Sequence, residues 1–219
     1  IGVRLVGSEM CIRDRVCLDM EGTLTPEIWQ QVSINTGIKD FAKTTRDIPS
    51  YSDLMDERIK IMRDHKISLK DIQFAASQLE LLEGAKDFLD RIREKFQVVI
   101  LSDTFHEIAS PLMAKLGFPF LLCHTLKVEN GMIVDYELRQ DKAKQKAILA
   151  FQNLGYRCFA AGDSFNDIQM FDVCEKGFFI NAPEKVSSKH PEIYLTKNYL
   201  ELEECCLLYT SDAADDRCC

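Results

Sequence analysis

The fold is decided by one stretch, VCLDMEGTLT, which runs from Val16 to Thr25. Val16 to Leu18 form an apolar run typical of a short buried strand, and Gly22 indicates a turn soon after it. Asp19 would then lie at the carboxyl end of the strand, where open α/β sheets place their active sites. Because the chain turns there, we expect Glu21 to fold back over the same pocket. Two carboxylates in one pocket repel each other unless a cation or a shared proton relieves them, which favours catalysis over a plain surface turn.

Length and composition exclude several classes of protein. The chain has 219 residues, 46% hydrophobic and 28% charged, which is typical of one globular domain with or without a small insertion. No uninterrupted apolar run reaches about 18 residues, so we expect no membrane-spanning segment. The net charge of −8 disfavours nucleic acid and anionic membranes as main partners, but not a small anionic substrate.

The two ends differ in composition from the rest. Residues 1–15 show no clear periodicity and no signal-peptide pattern, and residues 205–219 hold two Cys-Cys pairs around an acidic run. We therefore expect both ends to be non-native or disordered. The remaining cysteines lie in or beside apolar stretches, without a C-x-x-C pair, at Cys17, Cys123, Cys158 and Cys174. This pattern favours buried, reduced thiols in a cytoplasmic protein over a zinc or redox site.

A block of helices is predicted from residue 27 to residue 81. Its first helix stops at Gly37, and its longest is an amphipathic helix over residues 51–65. Ser68 is expected to cap the next helix, over residues 72–82. We interpret the block as an insertion into the main fold; the alternative is that its helices belong to the main layer.

Helices and strands alternate from residue 82 onward. The predicted strands are 97–101, 118–123, 157–161 and 177–180, and the predicted helices are 85–96, 107–116, 142–154, 167–174 and one that ends near Glu204. Asn130 and Gly131 indicate a β-hairpin. The fold class is therefore α/β: a doubly wound parallel sheet with helices on both faces, a Rossmann-like core formed by residues 16–26 and 82–204.

Polar side chains follow several predicted strands. They are Asp19, Glu21 and Thr23 after the first strand, Ser102, Asp103 and Thr104 after the next, and Asp163, Ser164, Asn166 and Asp167 after a later one. Because the carboxyl ends of parallel strands share one edge of the sheet, we expect these groups to converge, together with Lys144. Carboxylates without a neighbouring His or Cys favour a hard cation, so Mg²⁺ is the expected cofactor.

This set of groups suits phosphoryl transfer. Asp19 can attack phosphorus and form an aspartyl-phosphate, which water then hydrolyses. Lys144 and Mg²⁺ would offset the repulsion between that carboxylate and an incoming phosphate, and Ser102 would hold phosphoryl oxygens. Glu21 would protonate the leaving group and then activate water, a task worth about 10²–10⁴ in rate.

The same motifs resemble a known family. DMEGT at 19–23, Ser102, Lys144 and GDSFND at 162–167 are similar, in order and spacing, to the four motifs of the haloacid dehalogenase (HAD) superfamily of aspartate-nucleophile phosphatases. The likeness, from about residue 16 to residue 204, is greatest to phosphoserine phosphatases. It is especially close to the bacterial branch that also transfers phosphate to homoserine and has Glu at the position of Glu21. The resemblance implies a HAD-like fold with a helical cap, and an enzyme that hydrolyses O-phospho-L-serine with Mg²⁺.

The resemblance also implies roles for individual residues. The metal site would comprise Asp19, Glu21 through its backbone carbonyl, Asp163, and Asp167 as a ligand or beside one. The catalytic and phosphate-binding set would be Asp19, Glu21, Ser102 and Lys144, with Asn166 on phosphate or a metal-bound water. Lys144 is preferred to Lys142 and Lys146 because its spacing to the following helix matches the family best.

The substrate would be bound between the sheet edge and the cap. The resemblance implies that Glu27 takes the ammonium of phosphoserine, that Arg58 takes its carboxylate and that Tyr51 packs over it, with Asp103 as a further substrate-binding residue. The alternatives are a first-turn helix acid for Glu27 and a solvent-facing residue paired with helix neighbours for Arg58. Surface or satisfied roles are expected for four histidines, His65, His106, His124 and His190.

Two other functions stay open. One is a HAD phosphatase for another small phosphate ester, and the other is a catalytically inactive HAD-fold binding protein. The sequence also leaves open the balance between hydrolysis and transfer to homoserine, and whether the protein is a monomer or a homodimer.

Overall fold

The structure is a computed structural model that describes residues 14–45, 47–48 and 50–215, with side chains described as far as residue 209. Its strands are β1 (Asp14–Leu18), β2 (Gln97–Phe105), β3 (Phe120–Glu129), β4 (Met132–Glu137), β5 (Arg157–Gly162), β6 (Lys176–Ile180) and β7 (Tyr194–Thr196). Its α-helices are α1 (Ile28–Thr36), α2 (Tyr51–His65), α3 (Leu69–Gln78), α4 (Ala85–Lys95), α5 (His106–Lys115), α6 (Ala143–Asn153), α7 (Ile168–Phe171), α8 (Glu184–Ser187) and α9 (Tyr199–Asp215). Short 3₁₀ helices cover Lys39–Ala42 and Phe165–Asp167.

The seven strands in the described part of the chain form one sheet, in the order β4-β3-β2-β1-β5-β6-β7. Neighbouring strands are parallel, except that β3 and β4 pair antiparallel through the predicted hairpin. Asn130 and Gly131 both take a positive φ in that turn, 50° and 79°, which suits Asn-Gly. The predicted α/β fold class is confirmed, and the first strand of the chain lies at the centre of the sheet.

Helices cover both faces of the sheet. Val16 and Leu18 of β1 join an apolar core with α1 to α5 and α9, while Cys17 points to the opposite face and packs with α6, α7 and α8. This alternation follows from the two-residue period of a strand. The helices α1 to α3 therefore lie on one face of the sheet and share a continuous core with it.

Local sequence explains where the helices of this block begin and end. Ser68 accepts a bond from Asp71 N–H in a capping box, so α3 begins where predicted, although it ends at Gln78 rather than at residue 82. Helix α2 has the predicted bounds and ends at Lys66, which takes a left-handed φ of 57°. Gly37 ends α1 with φ 72°.

Several predicted boundaries are wrong. Strand β2 continues to Phe105 instead of ending at residue 101, because its pairing with β3 resumes after a shift in register. Strand β3 runs unbroken to Glu129, and the short elements α8 and β7 had no counterpart in the prediction.

The first strand begins two residues earlier than predicted. Asp14 is fully buried, and its two carboxylate oxygens accept bonds of 2.7 Å each from Arg157. At the other end, α9 continues beyond Glu204, and Cys206 is buried in the core. Some residues of the two ends that were predicted to be non-native or disordered thus lie inside a strand or a helix. Residues 1–13 and 216–219 fall outside the described residues, as do Arg46 and Pro49.

None of the helices in the described ranges combines the length and the apolar character needed to cross a membrane.

Candidate active site

A cleft of about 450 Å³ lies between the carboxyl edge of the sheet and the helices α1 and α2. Its lining includes Asp19, Glu21, Glu27, Tyr51, Arg58, Ser102, Asp103, Lys144, Asp163 and Asn166. Of the predicted site residues, only Asp167 does not line the cleft; it is fully buried and contacts Lys144. The structure therefore brings the predicted residues together at the predicted edge of the sheet.

The two central strands place the first two carboxylates. Asp19 directly follows β1, and its N–H donates to the carbonyl of Ala161 on β5 at 2.9 Å. Asp163 comes directly after β5. Since β1 and β5 pair in parallel, their ends meet, and the two carboxylates lie at one point despite their separation in sequence.

Lys144 joins the carboxylates into a buried cluster. Its Nζ lies 2.8 Å from Asp19 Oδ1, 2.7 Å from Asp167 Oδ1 and 3.9 Å from Asp103 Oδ2. Although burial works against a charged ammonium, the charges of Asp167 and Asp19 raise the pKa of Lys144 well above its usual value. Lys142 and Lys146 are both exposed, so the geometry selects Lys144 as the cation beside Asp19.

Asp167 holds the loop that carries Asp163. Its Oδ2 accepts bonds from Asp163 N–H at 3.1 Å, Ser164 N–H at 2.9 Å and Ser164 Oγ at 3.0 Å. A Cβ on Gly162 would lie 2.3 Å from the Asp167 carboxyl carbon, so only glycine fits there. With Oδ1 on Lys144, both oxygens of Asp167 are engaged by the protein.

Three carboxylates in the described part of the chain form a potential cation site. Oxygens of Asp19, Asp163 and Asp167 lie within 4.8 Å of one another. Burial, followed by the charge of Asp167, raises the pKa of Asp19 well above its usual range, and burial with Asp167 and Glu27 raises that of Asp163 to about 7. All the candidate ligand atoms are carboxylate oxygens, and the raised pKa values mean that their negative charge is unfavourable without a counter-charge. Such a site fits a divalent cation.

Glu21 has a different environment. Its Oε2 accepts a bond of 3.0 Å from the N–H of Ile28, the first residue of α1. Burial, followed by the charge of Glu27, raises the pKa of Glu21 to about 8. The Glu21 carboxyl is therefore able to carry a proton near neutral pH, as a general acid requires.

Arg58 is buried, and the alternative of a solvent-facing residue is wrong. Its side chain is 6% exposed, its Nη2 donates to Lys43 O at 2.7 Å, and its guanidinium carbon lies 4.3 Å from the centre of the Trp29 ring. Its Nε has no hydrogen-bond partner among the described residues. Burial lowers the pKa of Arg58 to about 10, so the group stays charged at neutral pH. A charged, incompletely paired guanidinium in a cleft wall suits an anionic ligand.

Tyr51 and Asp103 close the opposite wall of the cleft. Tyr51 OH donates to the backbone carbonyl of Asp103 at 2.8 Å, which ties α2 to β2. Although burial works in the other direction, Lys144 and then His124 hold the pKa of Asp103 below its usual value. Ser102 Oγ accepts a bond from Thr104 N–H at 3.3 Å, and Glu27 and Asn166 are exposed at the cleft.

Two supporting contacts were not foreseen from the sequence. They are the engagement of both Asp167 oxygens and the pairing of Asp103 with His124, which belongs to a different strand. The S-x-x-D spacing of Ser164 and Asp167 indicates the capping box and so part of the first contact. We find no sequence pattern that would have indicated the second.

A buried aspartate after the central strand, paired with a lysine and set beside a second aspartate from the neighbouring strand, is the arrangement expected of hydrolases that use an aspartate nucleophile. The chain belongs to the haloacid dehalogenase-like hydrolase family, which its sequence matches over residues 16–172.

Relatives and solved structures agree with this membership. The chain is 47% identical over 195 residues to the phosphoserine phosphatase of Pseudomonas syringae pv. tomato, covering 89% of this chain and 82% of that protein. It is also 47% identical over 188 residues to the phosphoserine phosphatase ThrH of Pseudomonas aeruginosa, covering 85% and 92%. A phosphoserine phosphatase solved as a phospho-aspartyl intermediate analogue superposes with a TM-score of 0.71 at 18% identity, covering 85% and 94%. The last likeness supports the fold alone.

Proposed function

We propose that this protein is a Mg²⁺-dependent phosphomonoesterase that hydrolyses O-phospho-L-serine to L-serine. The observation that carries the proposal is the buried pair of Asp19 and Lys144 at the base of the cleft, 2.8 Å apart. The identity of 47% to two phosphoserine phosphatases supports the choice of substrate.

The proposed reaction has two steps, and the positions of the residues support it. An Asp19 oxygen attacks phosphorus, the bond from phosphorus to the serine oxygen breaks, and that oxygen takes the proton from Glu21. Water then attacks the phosphorus of the aspartyl-phosphate, gives its proton to Glu21 and releases Asp19. Lys144 offsets the negative charge as the phosphate approaches Asp19, and Ser102 binds a phosphoryl oxygen.

The carboxylate cluster would hold the metal. Asp19 and Asp163, with the backbone carbonyl of Glu21, would be the ligands, and Asp167 would support them because both of its oxygens bind protein groups. A bound Mg²⁺ supplies positive charge to the phosphoryl group. The raised pKa values of the two aspartates support a site that needs a cation.

The cleft walls suit the rest of phosphoserine. Arg58 would bind the carboxylate, Glu27 the ammonium, and Asn166 the phosphate or a metal-bound water. Tyr51 and Asp103 would limit the cleft on the other side, next to the phosphate. The buried, charged state of Arg58 supports this assignment.

Residues 27–81 would act as the cap over a catalytic core of residues 16–26 and 82–204. Residues 1–15 and 205–219 were predicted to be non-native or disordered; residues 14–15 and 205–215 are ordered in β1 and α9, and a non-native origin stays a prediction. A cytoplasmic location is supported by the free cysteines within the described ranges. Both a monomer and a homodimer fit this function.

Transfer to homoserine is a second candidate. Water and an alcohol differ only in which hydroxyl attacks the aspartyl-phosphate of Asp19, so the same cleft can serve both. The resemblance to the transferring branch, together with Glu21 in place of the usual aspartate, favours this additional activity.

The test is phosphate release from phosphoserine with Mg²⁺, with EDTA and with added homoserine. We expect release with Mg²⁺, none with EDTA, and loss of at least about 10³-fold in the variant Asp19→Asn. Asp87→Asn, the same exchange at an exposed position on α4, is the matched control. Phosphate release by Asp19→Asn near the wild-type rate would rule out Asp19 as the nucleophile. Release from other esters but not from phosphoserine would identify another HAD phosphatase, and no release from any ester would favour an inactive binding protein.

A further inference from the structure

His124 on β3 is a buried histidine that the reaction described above does not use. It is 4% exposed, and its ring lies between the rings of Tyr51 and Phe105, with centroids 6.2 and 6.0 Å away. Its Nδ1 accepts a bond of 3.2 Å from the N–H of Arg139. In a neutral ring the proton is therefore on Nε2. The packing and this bond fix both the orientation and the tautomer of the ring.

The free nitrogen of that ring faces Asp103. His124 Nε2 lies 3.7 Å from Asp103 Oδ1, while the other carboxylate oxygen of Asp103 lies 3.9 Å from Lys144 Nζ. Asp103 thus lies between the histidine and the lysine that pairs with Asp19. His124 does not line the cleft of about 450 Å³; it faces an adjoining cavity of about 240 Å³.

The backbone alone does not hold Asp103 at this point. The pairing of β2 with β3 is interrupted between Leu101 and Phe105, and it resumes with Phe105 opposite His124. Ser102 and Asp103 lie inside this interruption, so side-chain contacts contribute to their positions. Those contacts come from Tyr51 on the Asp103 carbonyl and from His124 beside its carboxylate.

We propose that His124 is a positioning residue for phosphoryl transfer. It directs one oxygen of Asp103 away from the lysine and the other toward it, which keeps the Lys144 ammonium beside Asp19. Because His124 does not line the substrate cleft, its loss should lower kcat and leave KM nearly unchanged. This inference rests on the proposed function, since it concerns the same reaction.

The test compares variants that keep or lose the Nε2 donor. His124→Leu should lower kcat by about 10- to 100-fold, the range for the loss of a residue that orients a site residue, with KM within about twofold. His124→Gln keeps an N–H near the Nε2 position and should recover kcat to within about threefold of wild type. His106→Leu, at an exposed histidine on α5, is the matched control.

A double-mutant cycle separates positioning from mere stability. If His124 acts through Asp103, the double variant His124→Leu with Asp103→Asn should be no slower than Asp103→Asn alone. Additive losses, or a kcat of His124→Leu equal to wild type, would overturn the proposal. If His124→Leu does not fold, His124→Asn is used in its place, because the shorter asparagine amide cannot reach Asp103. Equal kcat values for His124→Asn and His124→Gln would then refute the positioning role.

The assays use both phosphoserine and p-nitrophenyl phosphate. Wild-type turnover of the second ester but not of the first would overturn the proposed substrate and still allow the His124 comparison. Wild-type turnover of phosphoserine with unaffected His124 variants would overturn only the positioning role.

Discussion

Replacing Lys144 with methionine tests the arrangement on which the site depends. Methionine has a similar length and no charge, so the variant Lys144→Met leaves Asp19 and Asp167 facing each other without a cation. All three side chains are at least nine-tenths buried, so water replaces the lost partner poorly. The fold itself should therefore respond, as well as the chemistry.

The size of the effect follows from the geometry. At 2.8 Å, one contact of Lys144 with a carboxylate amounts to about 6 kcal/mol of gross attraction at an effective dielectric constant of about 20. Desolvation offsets most of this, and removing one partner of a buried ion pair costs about 3–5 kcal/mol of unfolding free energy. For a chain of 219 residues, that corresponds to a melting temperature lower by about 6–20 °C.

The loss should depend on pH with a definite sign. Without Lys144, burial and the charge of Asp167 raise the pKa of Asp19 in the folded state still further above its unfolded value of about 3.9. Between those two values the folded state binds more protons than the unfolded state. The unfolding free energy of the variant therefore rises as pH falls from 8 toward 5.

The assay is urea unfolding of wild type, Lys144→Met and Lys146→Met in EDTA at several pH values. Lys146 carries the same exchange at an exposed position of α6 and should stay within about 0.5 kcal/mol of wild type. A Lys144→Met protein within about 0.5 kcal/mol of wild type at pH 7.5 would show that the buried cluster does not depend on the lysine. A loss that grows toward low pH would show that the assigned charges are wrong.

Three further predictions use other parts of the structure. Arg58→Ala should raise KM for phosphoserine by about 10- to 100-fold, since it removes a charged hydrogen-bond donor, and should leave steady-state kinetics with phosphoethanolamine, which has no carboxylate, unchanged. Mg²⁺ affinity, measured by calorimetry, should fall by up to about tenfold per pH unit below pH 7, because a proton competes with the metal for Asp163, whose metal-free pKa is about 7. An affinity that does not change with pH would exclude Asp163 as a ligand. Asp14→Ala should lower the unfolding free energy in urea by about 2–3 kcal/mol, because Arg157 loses two bonds, whereas an unchanged value would show that Asp14 is not part of the folded unit.

Local patterns predicted the elements that depend on local contacts. The apolar stripe of α2 gave its bounds, and Ser68 gave the start of α3, because a helix cap involves residues within one turn. Strand β2 was predicted too short, since its extension to Phe105 depends on pairing with β3, which is distant in sequence. The short β7 also depends on its neighbour β6, and no local pattern marks it.

The site could be predicted in composition but not in its supporting contacts. Residues at strand ends converge because the topology of a parallel sheet requires it, so Asp19, Ser102 and Asp163 could be grouped from the sequence. The partners of Asp14 and Asp103 come from other strands, and no spacing rule relates them. Helical periodicity alone did not indicate that Arg58 is buried, because a charged residue on an amphipathic helix is usually exposed; only the resemblance assigned Arg58 to the substrate cleft.

The ties between the helical block and the sheet bear on how fast substrate can exchange. The Tyr51 bond to Asp103 is one of several; others run from Gln73 Nε2 to the Glu107 carbonyl, from Leu69 N–H to the Gly131 carbonyl and from Lys115 Nζ to the Leu79 carbonyl. Swinging the block away as a rigid body would break these bonds, at about 1 kcal/mol each, and would also expose shared core. An open form would then hold about 1% of the molecules or less. If this rare opening limits turnover, kcat should fall as solvent viscosity rises.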